Sequence, residues 1–409
     1  MKYVIIGNGT AAIGCIEGIR EVDQEGTITV ISQENHPAYC RPLISYYLEQ
    51  KTSLEKMNYR PDDFYERMDC EVLYGQSATG LDAAAHTVQL SDGTTLPYDR
   101  LCVAAGSSPF VPPFEGLELV EKKFSFMTLD DTLALEAAIT PESSVFIVGA
   151  GLIGLKCAEG LRDRVAKITV CDLADRVLSS ILDAECAALM QSHLEKNGLH
   201  FLLGDSVDRF EAGTAHMKSG ADVDFDVLVL AVGVRPNLSL VKDAGGQTDR
   251  GILVDDAMRT SLPDVFAAGD CTQGQDISLG SKRVLAIMPN AYMQGHAAGV
   301  NMAGGREVHD KAIPMNSIGF FGLHAMTAGS YDGEKIEEKE EGGIRRFFVK
   351  NDRLTGFILI GPTQRTGLYT SLIRNQTPLS SLDFDALRKT ASSLAFSPET
   401  RRKMFGDEV

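Results

Sequence analysis

Residues 145–161 read VFIVGAGLIGLKCAEGL, an apolar run that leads into closely spaced glycines and then into a helical pattern. Residues 3–19, YVIIGNGTAAIGCIEGI, repeat the same order of residue types. Each copy is followed by another apolar run, and each half of the repeat later closes on an apolar run that ends in small residues. These runs are TITVIS (27–32) and KITVCD (167–172), then LCVAAG (101–106) and VLVLAVG (227–233). The repeat predicts two α/β domains, each built on strand, turn, helix and strand.

Three positions recur in the two glycine turns. The first permits a tight turn, the second lets the backbone approach a pyrophosphate, and the third allows the helix to pack closely on the sheet. They are Gly7, Gly9 and Ala12 in the first copy and Gly149, Gly151 and Gly154 in the second. Phosphates would then face N–H groups at a helix N-terminus, where the helix dipole favours anions. One such turn can be purely structural, but two in the same context predict two bound dinucleotides.

The end of the strand after each turn predicts how a ribose is bound. Asp172 lies 23 positions after Gly149, near the usual spacing for a carboxylate that accepts from the ribose 2′-OH. A carboxylate there repels a 2′-phosphate, so the sequence favours NADH over NADPH, although Arg176 can soften that preference. In the first copy the aligned residue is Ser32. Glu34 lies on the same side of an extended strand and is the expected substitute.

Composition limits the other possibilities. A chain of 409 residues, 44% hydrophobic and 23% charged, has room for two or three globular domains. Its longest apolar runs are strand-sized, and it opens on the strand KYVIIG, so we predict no membrane span and no signal peptide and expect a cytoplasmic location. The net charge of −17 argues against nucleic acid and anionic membranes as partners.

The charge is uneven along the chain. Residues 344–409 carry eleven Lys and Arg against six Asp and Glu, a net charge of +5, so the preceding residues carry −22. This asymmetry is typical of a solvated face, but it also suggests that an acidic protein partner docks on the basic C-terminal region.

The eight cysteines contain no CxxC or CxxxxC pair, which argues against a redox dithiol or a metal cluster. Several lie in apolar runs, where a small buried hydrophobic role in a reducing compartment is expected. His36 and Cys40 have a ligand-like spacing, but no second pair completes a site, so we predict no metal.

Further motifs make the chain resemble the two-dinucleotide flavoproteins of the pyridine nucleotide-disulfide oxidoreductase superfamily. RTSLPDVFAAGDCTQ (259–273) is similar to the second FAD signature of that family, in which the aspartate, Asp270 here, binds the ribitol hydroxyls. AVGVRPN (231–237) is similar to the segment that ends the NAD domain. MPNAYMQGHAAGVNMAG (288–304) resembles the helix that starts near the flavin ring, with Gln294 and Gly295 as its neighbours.

The resemblance implies a glutathione reductase-like architecture, with two nested Rossmann-like dinucleotide-binding domains and a small C-terminal α+β domain. The implied boundaries are 1–113 and 241–312 for a discontinuous FAD-binding domain, 114–240 for an NAD(H)-binding domain and 313–409 for the C-terminal interface domain. Linkers are expected at SSPFVPPFEG and near VRPNLSL, where Pro and Gly accumulate.

The segment YCRPLIS (39–45) resembles one branch of the superfamily, the NADH:rubredoxin reductases, ferredoxin reductases and nitrite reductase flavin modules. The resemblance implies that Arg41 donates to the FAD pyrophosphate. Single-cysteine NADH oxidases and CoA-disulfide reductases carry their thiol at the place of Pro42, two residues beyond Cys40. A redox role for Cys40, as a thiolate beside Arg41, is the alternative.

Three residues depart from the family pattern. Lys156 replaces the glutamate that usually lies beside the nicotinamide, and Glu159, nearly one helical turn on, is a possible compensation. Ala105 replaces a threonine near FAD, and Tyr46 stands where the branch often has lysine.

Two sets of contacts follow from the turns and the resemblance together. The expected FAD-binding residues are Gly7, Gly9, Ala11, Ala12, Ser32, Glu34, Arg41, Pro42, Ala105, Gly106, Asp270, Gln294 and Gly295. The expected NAD-binding residues are Gly149, Gly151, Ile153, Gly154, Lys156, Asp172 and Gly233.

The resemblance implies an FAD-dependent NADH:acceptor oxidoreductase that delivers electrons to a small carrier such as rubredoxin or ferredoxin, without a protein nucleophile. Two alternatives stay open. One is a single-cysteine NADH oxidase or CoA-disulfide reductase that uses Cys40. The other is a flavin-holding subunit or redox-responsive binding module with weak NADH turnover, which Lys156 suggests.

Overall fold

The computed structural model describes residues 1–340, 342–364, 366–390, 395, 397–399 and 402. These residues form two compact units. The first contains Met1–Gly274 and Arg283–His309, and the second contains Gln275–Lys282 and the described residues from Asp310 onward. The predicted domain boundaries at 113/114, 240/241 and 312/313 remain predictions.

The strands are β1 (Lys2–Ile6), β2 (Thr27–Ser32), β3 (Cys70–Tyr74), β4 (Ala78–Asp82), β5 (Thr87–Leu90), β6 (Thr95–Pro97), β7 (Arg100–Val103), β8 (Ser107–Pro109), β9 (Lys123–Phe124), β10 (Ser144–Val148), β11 (Lys167–Asp172), β12 (His200–Leu203), β13 (Val207–Phe210), β14 (Thr214–Met217), β15 (Asp222–Asp224), β16 (Val227–Leu230), β17 (Val234–Pro236), β18 (Ile252–Leu253), β19 (Val265–Ala267), β20 (Thr272–Asp276), β21 (Ser281–Arg283), β22 (Met315–Phe320), β23 (Leu323–Gly329), β24 (Glu334–Glu340), β25 (Gly343–Lys350) and β26 (Arg353–Ile360). The α-helices are α1 (Thr10–Val22), α2 (Leu43–Leu48), α3 (Phe64–Arg67), α4 (Leu129–Ala138), α5 (Leu152–Leu161), α6 (Ala184–Lys196), α7 (Ser239–Asp243), α8 (Met288–Met302), α9 (Thr366–Arg374) and α10 (Phe384–Thr390). Short 3-10 helices span Leu54–Met57, Leu117–Leu119 and Leu379–Ser381.

The first unit contains two parallel sheets, as the repeat predicts. The first has the order β19-β7-β1-β2-β3 and the second has the order β12-β11-β10-β16-β9. In each sheet the strand before the glycine turn lies between two parallel neighbours, so Ile5 pairs with Val30 and Ile147 pairs with Val170. These side chains are fully buried, which explains why the strands read as unbroken apolar runs rather than as alternating ones.

The helix after the first turn packs against α8 through glycines. A Cβ on Gly14 would lie 2.3 Å from the carbonyl oxygen of Tyr292, and a Cβ on Gly295 would lie 1.9 Å from that of Ala11. Gly18 and Gly299, one turn further along each helix, are equally close to the opposite backbone. The two backbones therefore touch directly, and no larger residue fits at these positions.

The two expected linkers pair with each other. Strands β8 and β17 form an antiparallel ribbon in which Val234 faces Pro109. The Asn237 side chain follows this ribbon and donates from Nδ2 to the carbonyl oxygen of Ala105 over 2.9 Å. The two chain segments that connect the first parallel sheet with the second are thus held side by side.

The second unit is built on an antiparallel sheet of order β22-β23-β26-β25-β24. Helix α9 packs on this sheet, and Phe347, Phe357 and Tyr369 form part of its core. The acidic run DGEKIEEKEEGG (332–343) contains β24, which pairs with β25 as a hairpin strand. Of the residues in that run, Glu341 lies outside the described residues.

Candidate functional site

The two glycine turns share one backbone geometry. Gly7 and Gly149 have φ angles of +107° and +117°, in the region that side chains rarely adopt. A Cβ at either position would lie 2.2 Å from a carbonyl oxygen, that of Ala104 or of Ala231. Glycine is required at both positions, and the same tight turn is built twice.

The next glycine in each turn precedes a helix whose N-terminus is open. Gly9 and Gly151 are the N-cap residues of α1 and α5, and within the described chain no side chain caps either helix. In contrast, Thr128 caps α4 by accepting from the Asp131 N–H over 3.0 Å. A Cβ on Gly9 or Gly151 would lie in open space. The turns therefore leave N–H groups and room at a dipole-positive helix end, which fits a diphosphate at each turn.

The predicted adenosine-ribose ligand Asp172 lies at the end of β11 and faces the second turn. Its Oδ2 accepts from the Ala150 N–H over 2.7 Å, and its Oδ1 accepts from the Ala174 N–H over 2.8 Å. The carboxylate is therefore held beside the turn. Arg176 pairs with the exposed Asp175 over 2.8 Å.

In the first half, two predicted FAD ligands are joined to each other. Glu34 forms an ion pair with Arg41 and also accepts from the Tyr39 hydroxyl over 2.7 Å. Ser32 is buried and donates from Oγ to the carbonyl oxygen of Glu34 over 2.7 Å. Glu34, at the strand end, and Arg41, in the Arg-Pro motif, therefore belong to one cluster, although they lie seven residues apart in the sequence.

Tyr39 is the residue of this cluster that the sequence did not single out, although it begins the quoted YCRPLIS motif. Its hydroxyl accepts from the Leu129 N–H over 2.8 Å and from Arg41 Nη1 over 3.2 Å. Burial raises the pKa of Tyr39, so the hydroxyl stays protonated as a donor to Glu34. Tyr39 thus joins the segment before α2 to the first turn of α4.

Arg41 also donates from Nη1 to the carbonyl oxygen of Met127 over 3.0 Å. Burial raises the pKa of Asp270, and the positive charge of Arg41 offsets part of that rise. The structure therefore brings the two predicted FAD ligands Arg41 and Asp270 within electrostatic reach of one another. Pro42 lies on the surface as the N-cap residue of α2.

The turn that carries Asp270 is held by a buried glutamine. Gln294 Oε1 accepts from the Gly269 N–H over 2.8 Å and from the Thr272 hydroxyl over 2.9 Å. Gly269 itself has a φ of +83°. Gln294 thus orients the turn, and its neighbour Gly295 serves the contact between α1 and α8 described above.

The small residues that end each half lie at the ribbon of β8 and β17. Ala105 and Gly106 accept through their carbonyl oxygens from the side chain and the N–H of Asn237, over 2.9 and 3.0 Å. Gly233 has a φ of +111° and accepts from the Phe110 N–H over 2.9 Å. Asn237 was part of a quoted motif but had no predicted role.

The remaining predicted residues lie on the two helices. Ala11 and Ala12 are buried in the core of the first half, and Gly154 packs so tightly that a Cβ would lie 2.0 Å from the carbonyl oxygen of Gly149. Ile153 is half-buried on α5. Lys156, also on α5, forms an ion pair with Glu159.

The cysteine alternative receives little support. Burial raises the pKa of the half-buried Cys40 thiol, and the hydrogen bond with the Leu43 backbone offsets this only in part. Arg41 directs its guanidinium to Glu34, Tyr39 and Met127. A thiolate at Cys40 is therefore not stabilised in the way that reactive cysteines require.

Within the described chain, no group of three or more His, Cys, Asp and Glu side chains is placed to hold a metal ion. His36 Nε2 instead lies 2.8 Å from Asp130 Oδ1. Among the described helices, none is long and apolar enough to cross a membrane.

Several cations of the basic C-terminal region (residues 344–409) form ion pairs with neighbouring carboxylates in the structure. Arg346 is buried against Glu337, and Arg388 forms ion pairs with Glu338 and Asp385. Lys350 pairs with Asp332 over 2.7 Å. Three of the partner carboxylates, Asp332, Glu337 and Glu338, lie before residue 344. They were therefore not counted in the net charge of +5 for residues 344–409. Residues 365, 391–394, 396, 400–401 and 403–409 of the expected docking region lie outside the described residues.

These features define an α/β protein with two matching nucleotide-type turns in one compact unit. Residues 1–295 match the family model described as pyridine nucleotide-disulphide oxidoreductase. The chain belongs to this family of oxidoreductases, which work with a flavin and NAD(H).

Known proteins resemble the chain over most of its length. It is 32% identical to the NADH-dependent phenylglyoxylate dehydrogenase subunit epsilon of Aromatoleum evansii, over 93% of each chain. It is 30% identical to the assimilatory nitrate reductase electron transfer subunit of Bacillus subtilis over 92% of this chain, but it spans only 49% of that relative. A similar fold occurs in the crystal structure of the covalent putidaredoxin reductase-putidaredoxin complex, with a TM-score of 0.88, 23% identity and coverage of 96% of this chain and 97% of that one.

Proposed function

We propose that the chain is an FAD-dependent NADH:acceptor oxidoreductase. Residues 1–113 and 241–312 would hold FAD, and residues 114–240 would hold NADH. When bound, FAD accepts a hydride and releases its electrons one at a time. The protein binds and orients both dinucleotides, and none of its side chains has to act as a nucleophile.

The observation that carries this proposal is the pair of open helix N-termini behind Gly9 and Gly151. At both positions no described atom lies within 4 Å of where a side chain would start, and neither helix has a side-chain cap among the described residues. A scaffold glycine turn needs neither feature, whereas a diphosphate needs both.

NADH is proposed as the reductant in preference to NADPH. Asp172 keeps its carboxylate beside the second turn through two backbone N–H groups. A negative charge at that place accepts from a ribose 2′-OH and repels a 2′-phosphate. The pairing of Arg176 with Asp175 supports the same preference, because it reduces the positive charge available to a phosphate.

The proposed acceptor is a small iron-containing redox carrier such as rubredoxin or ferredoxin. The raised pKa of Cys40 supports direct transfer from flavin to carrier rather than a thiol relay. The putidaredoxin reductase complex supports the same class of partner, since in it a similar fold is linked to a small carrier. Docking of an acidic carrier on residues 344–409 loses support, because several of the cations there are already paired.

The direct test is anaerobic stopped-flow mixing of the purified flavoprotein with NADH. The flavin band should bleach within about a second, a timescale typical of enzyme turnover. Reduced protein should then be reoxidised by rubredoxin or ferredoxin faster than by CoA disulfide. A flavin band that persists in excess NADH would contradict the proposal. A Cys40→Ser variant that keeps full carrier reduction would exclude the thiol alternative.

A second candidate is an electron-input subunit of a larger enzyme. It is favoured by the names of the two relatives, each of which is described as a subunit. In that case the isolated chain should reduce a dye with NADH but should reduce neither rubredoxin nor ferredoxin. Rapid reduction of any one carrier would favour the first candidate.

A further inference from the structure

Two departures from the family pattern meet in space. The Lys156 ammonium lies 4.9 Å from the centroid of the Tyr46 ring, within the range of a cation–π contact. It also forms an ion pair with Glu159. The Lys156 side chain is 17% exposed and that of Glu159 is 7% exposed, so the ammonium is held at a defined place rather than in solvent.

This place lies where the two halves of the first unit touch. Helix α5 packs on α2 at Gly160, where a Cβ would lie 2.9 Å from the carbonyl oxygen of Ser45. Arg164 extends the contact by donating to the carbonyl oxygen of Leu48 over 3.0 Å. Lys156 lies four residues before Gly160, on the same face of α5 and nearer its open N-terminus.

A pyridine nucleotide with its diphosphate at that N-terminus and its adenosine ribose at Asp172 would extend its nicotinamide towards a flavin held by the other half, and so towards this contact. The segment that leads into α2 is the one that carries Arg41, a predicted FAD ligand. Lys156 therefore lies on α5 between the N-terminus that would receive the diphosphate and the contact with α2 at Gly160, on the half proposed to hold the flavin.

We propose that Lys156, positioned by Tyr46 and Glu159, determines the orientation of the nicotinamide carboxamide by donating a hydrogen bond to its carbonyl oxygen. An ammonium has donors and no acceptor, so the ligand atom it meets must accept. A glutamate at this position would instead require the carboxamide NH₂ group. The inference rests on the proposed function in that the second half binds a pyridine nucleotide and the first half holds the flavin.

Two oxidised dinucleotides separate these orientations. NAD⁺ has both a carbonyl oxygen and an NH₂ group, whereas its 3-acetylpyridine analogue keeps the carbonyl and replaces NH₂ with a methyl group. The dissociation constants of both are measured by calorimetry on the flavin-loaded protein. The wild-type protein should bind them within about threefold of each other, because the group that Lys156 contacts is present in both.

Lys156→Glu should weaken binding of the acetyl analogue about tenfold or more relative to NAD⁺, because the carboxylate needs the missing NH₂. Lys156→Gln, which carries both a donor and an acceptor, should bind both dinucleotides. Lys156→Met keeps the apolar stem and should weaken both by a similar factor of about ten. Tyr46→Phe keeps the ring and should leave the ratio unchanged.

The inference is overturned if wild-type protein rejects the acetyl analogue about tenfold or more. It is also overturned if Lys156→Met binds both dinucleotides as the wild type does, a result that does not depend on the folding of the glutamate variant. If the ratios change as expected but NADH fails to bleach the flavin, the proposed function fails and the inference stands. If NADH bleaches the flavin and the ratios do not change, the inference alone fails.

Discussion

The Tyr39 hydroxyl donates to Glu34 over 2.7 Å, and this contact organises the candidate FAD site. Through the same hydroxyl, Tyr39 also accepts from the Leu129 N–H at the start of α4. Glu34 in turn pairs with Arg41. The buried Tyr39 hydroxyl thus contacts both Glu34 and Arg41, the two residues that the sequence assigns to FAD.

Tyr39→Phe should therefore destabilise the protein. The variant leaves the buried Leu129 N–H without its acceptor and removes one of the donors to Glu34, so the free energy of unfolding should fall by about 1–3 kcal/mol. Denaturant titration of the flavin-loaded protein measures this. Tyr74→Phe, at an exposed tyrosine that ends β3, is the matched control and should change the free energy by less than about 0.5 kcal/mol. Equal stability of both variants would show that the hydroxyl contacts contribute little.

Substitution of the two glycines of the first turn by alanine should affect different properties of the protein, FAD binding at Gly9 and stability at Gly7. Gly9 has a φ of −106°, which alanine adopts readily, and a Cβ there meets no protein atom within 4 Å. Gly9→Ala should therefore fold normally but weaken FAD binding about tenfold or more, because the methyl group takes the place of a phosphate. Flavin content after dialysis and FAD titration measure this loss.

Gly7→Ala is the contrasting variant. It places a Cβ 2.2 Å from the Ala104 carbonyl oxygen at a φ of +107°, so it should lower stability by more than about 2 kcal/mol. Gly151→Ala should retain the flavin and lose NADH affinity. Normal flavin content in Gly9→Ala would show that the open space at the first turn is not a diphosphate site.

The sequence predicted the parts of the fold that depend on neighbouring residues. The turns at Gly7 and Gly149 could be predicted because a few consecutive residues specify both a tight turn and the start of a helix. The contact of Gly295 with Ala11 could not be predicted from the sequence, because it joins helices nearly 300 residues apart and depends on how those helices pack against each other. Tyr39 was missed for a related reason, since its partner Leu129 lies 90 residues away.

Asp172→Asn should change the preference between the two pyridine nucleotides. The amide keeps one oxygen acceptor for the turn but removes the negative charge that repels a 2′-phosphate. The ratio of kcat/KM for NADPH to that for NADH should rise about tenfold. Steady-state assays with both nucleotides measure the ratio, and Asp208→Asn, at an exposed carboxylate on β13, is the control. Asp175→Asn frees Arg176 from its ion pair and tests the contribution of that cation separately. If only Asp175→Asn changes the ratio, Arg176 and not Asp172 sets the preference.

His296 should make stability depend on pH. Its Nδ1 lies 2.8 Å from Glu307 Oε2, its Nε2 lies 3.0 Å from Glu21 Oε1, and Glu17 is also close enough to interact electrostatically. Burial alone would lower the pKa of His296, but the hydrogen bonds and charges of Glu21 and Glu307 outweigh it and raise the pKa above the ordinary value. The contribution to stability is then fully present below the unfolded-state pKa of about 6.5 and is lost as the pH rises through the folded-state value.

His296→Gln should remove this dependence. The wild-type free energy of unfolding should fall relative to that of the variant as the pH rises above the unfolded-state pKa of about 6.5, because only the wild-type protein loses a proton from this site. Denaturant titrations at several pH values, in one buffer series of constant ionic strength, measure the difference. His200→Gln, at an exposed histidine that begins β12, should follow the wild-type curve. Parallel curves for the wild type and His296→Gln would mean that the two carboxylates do not hold a charged imidazole.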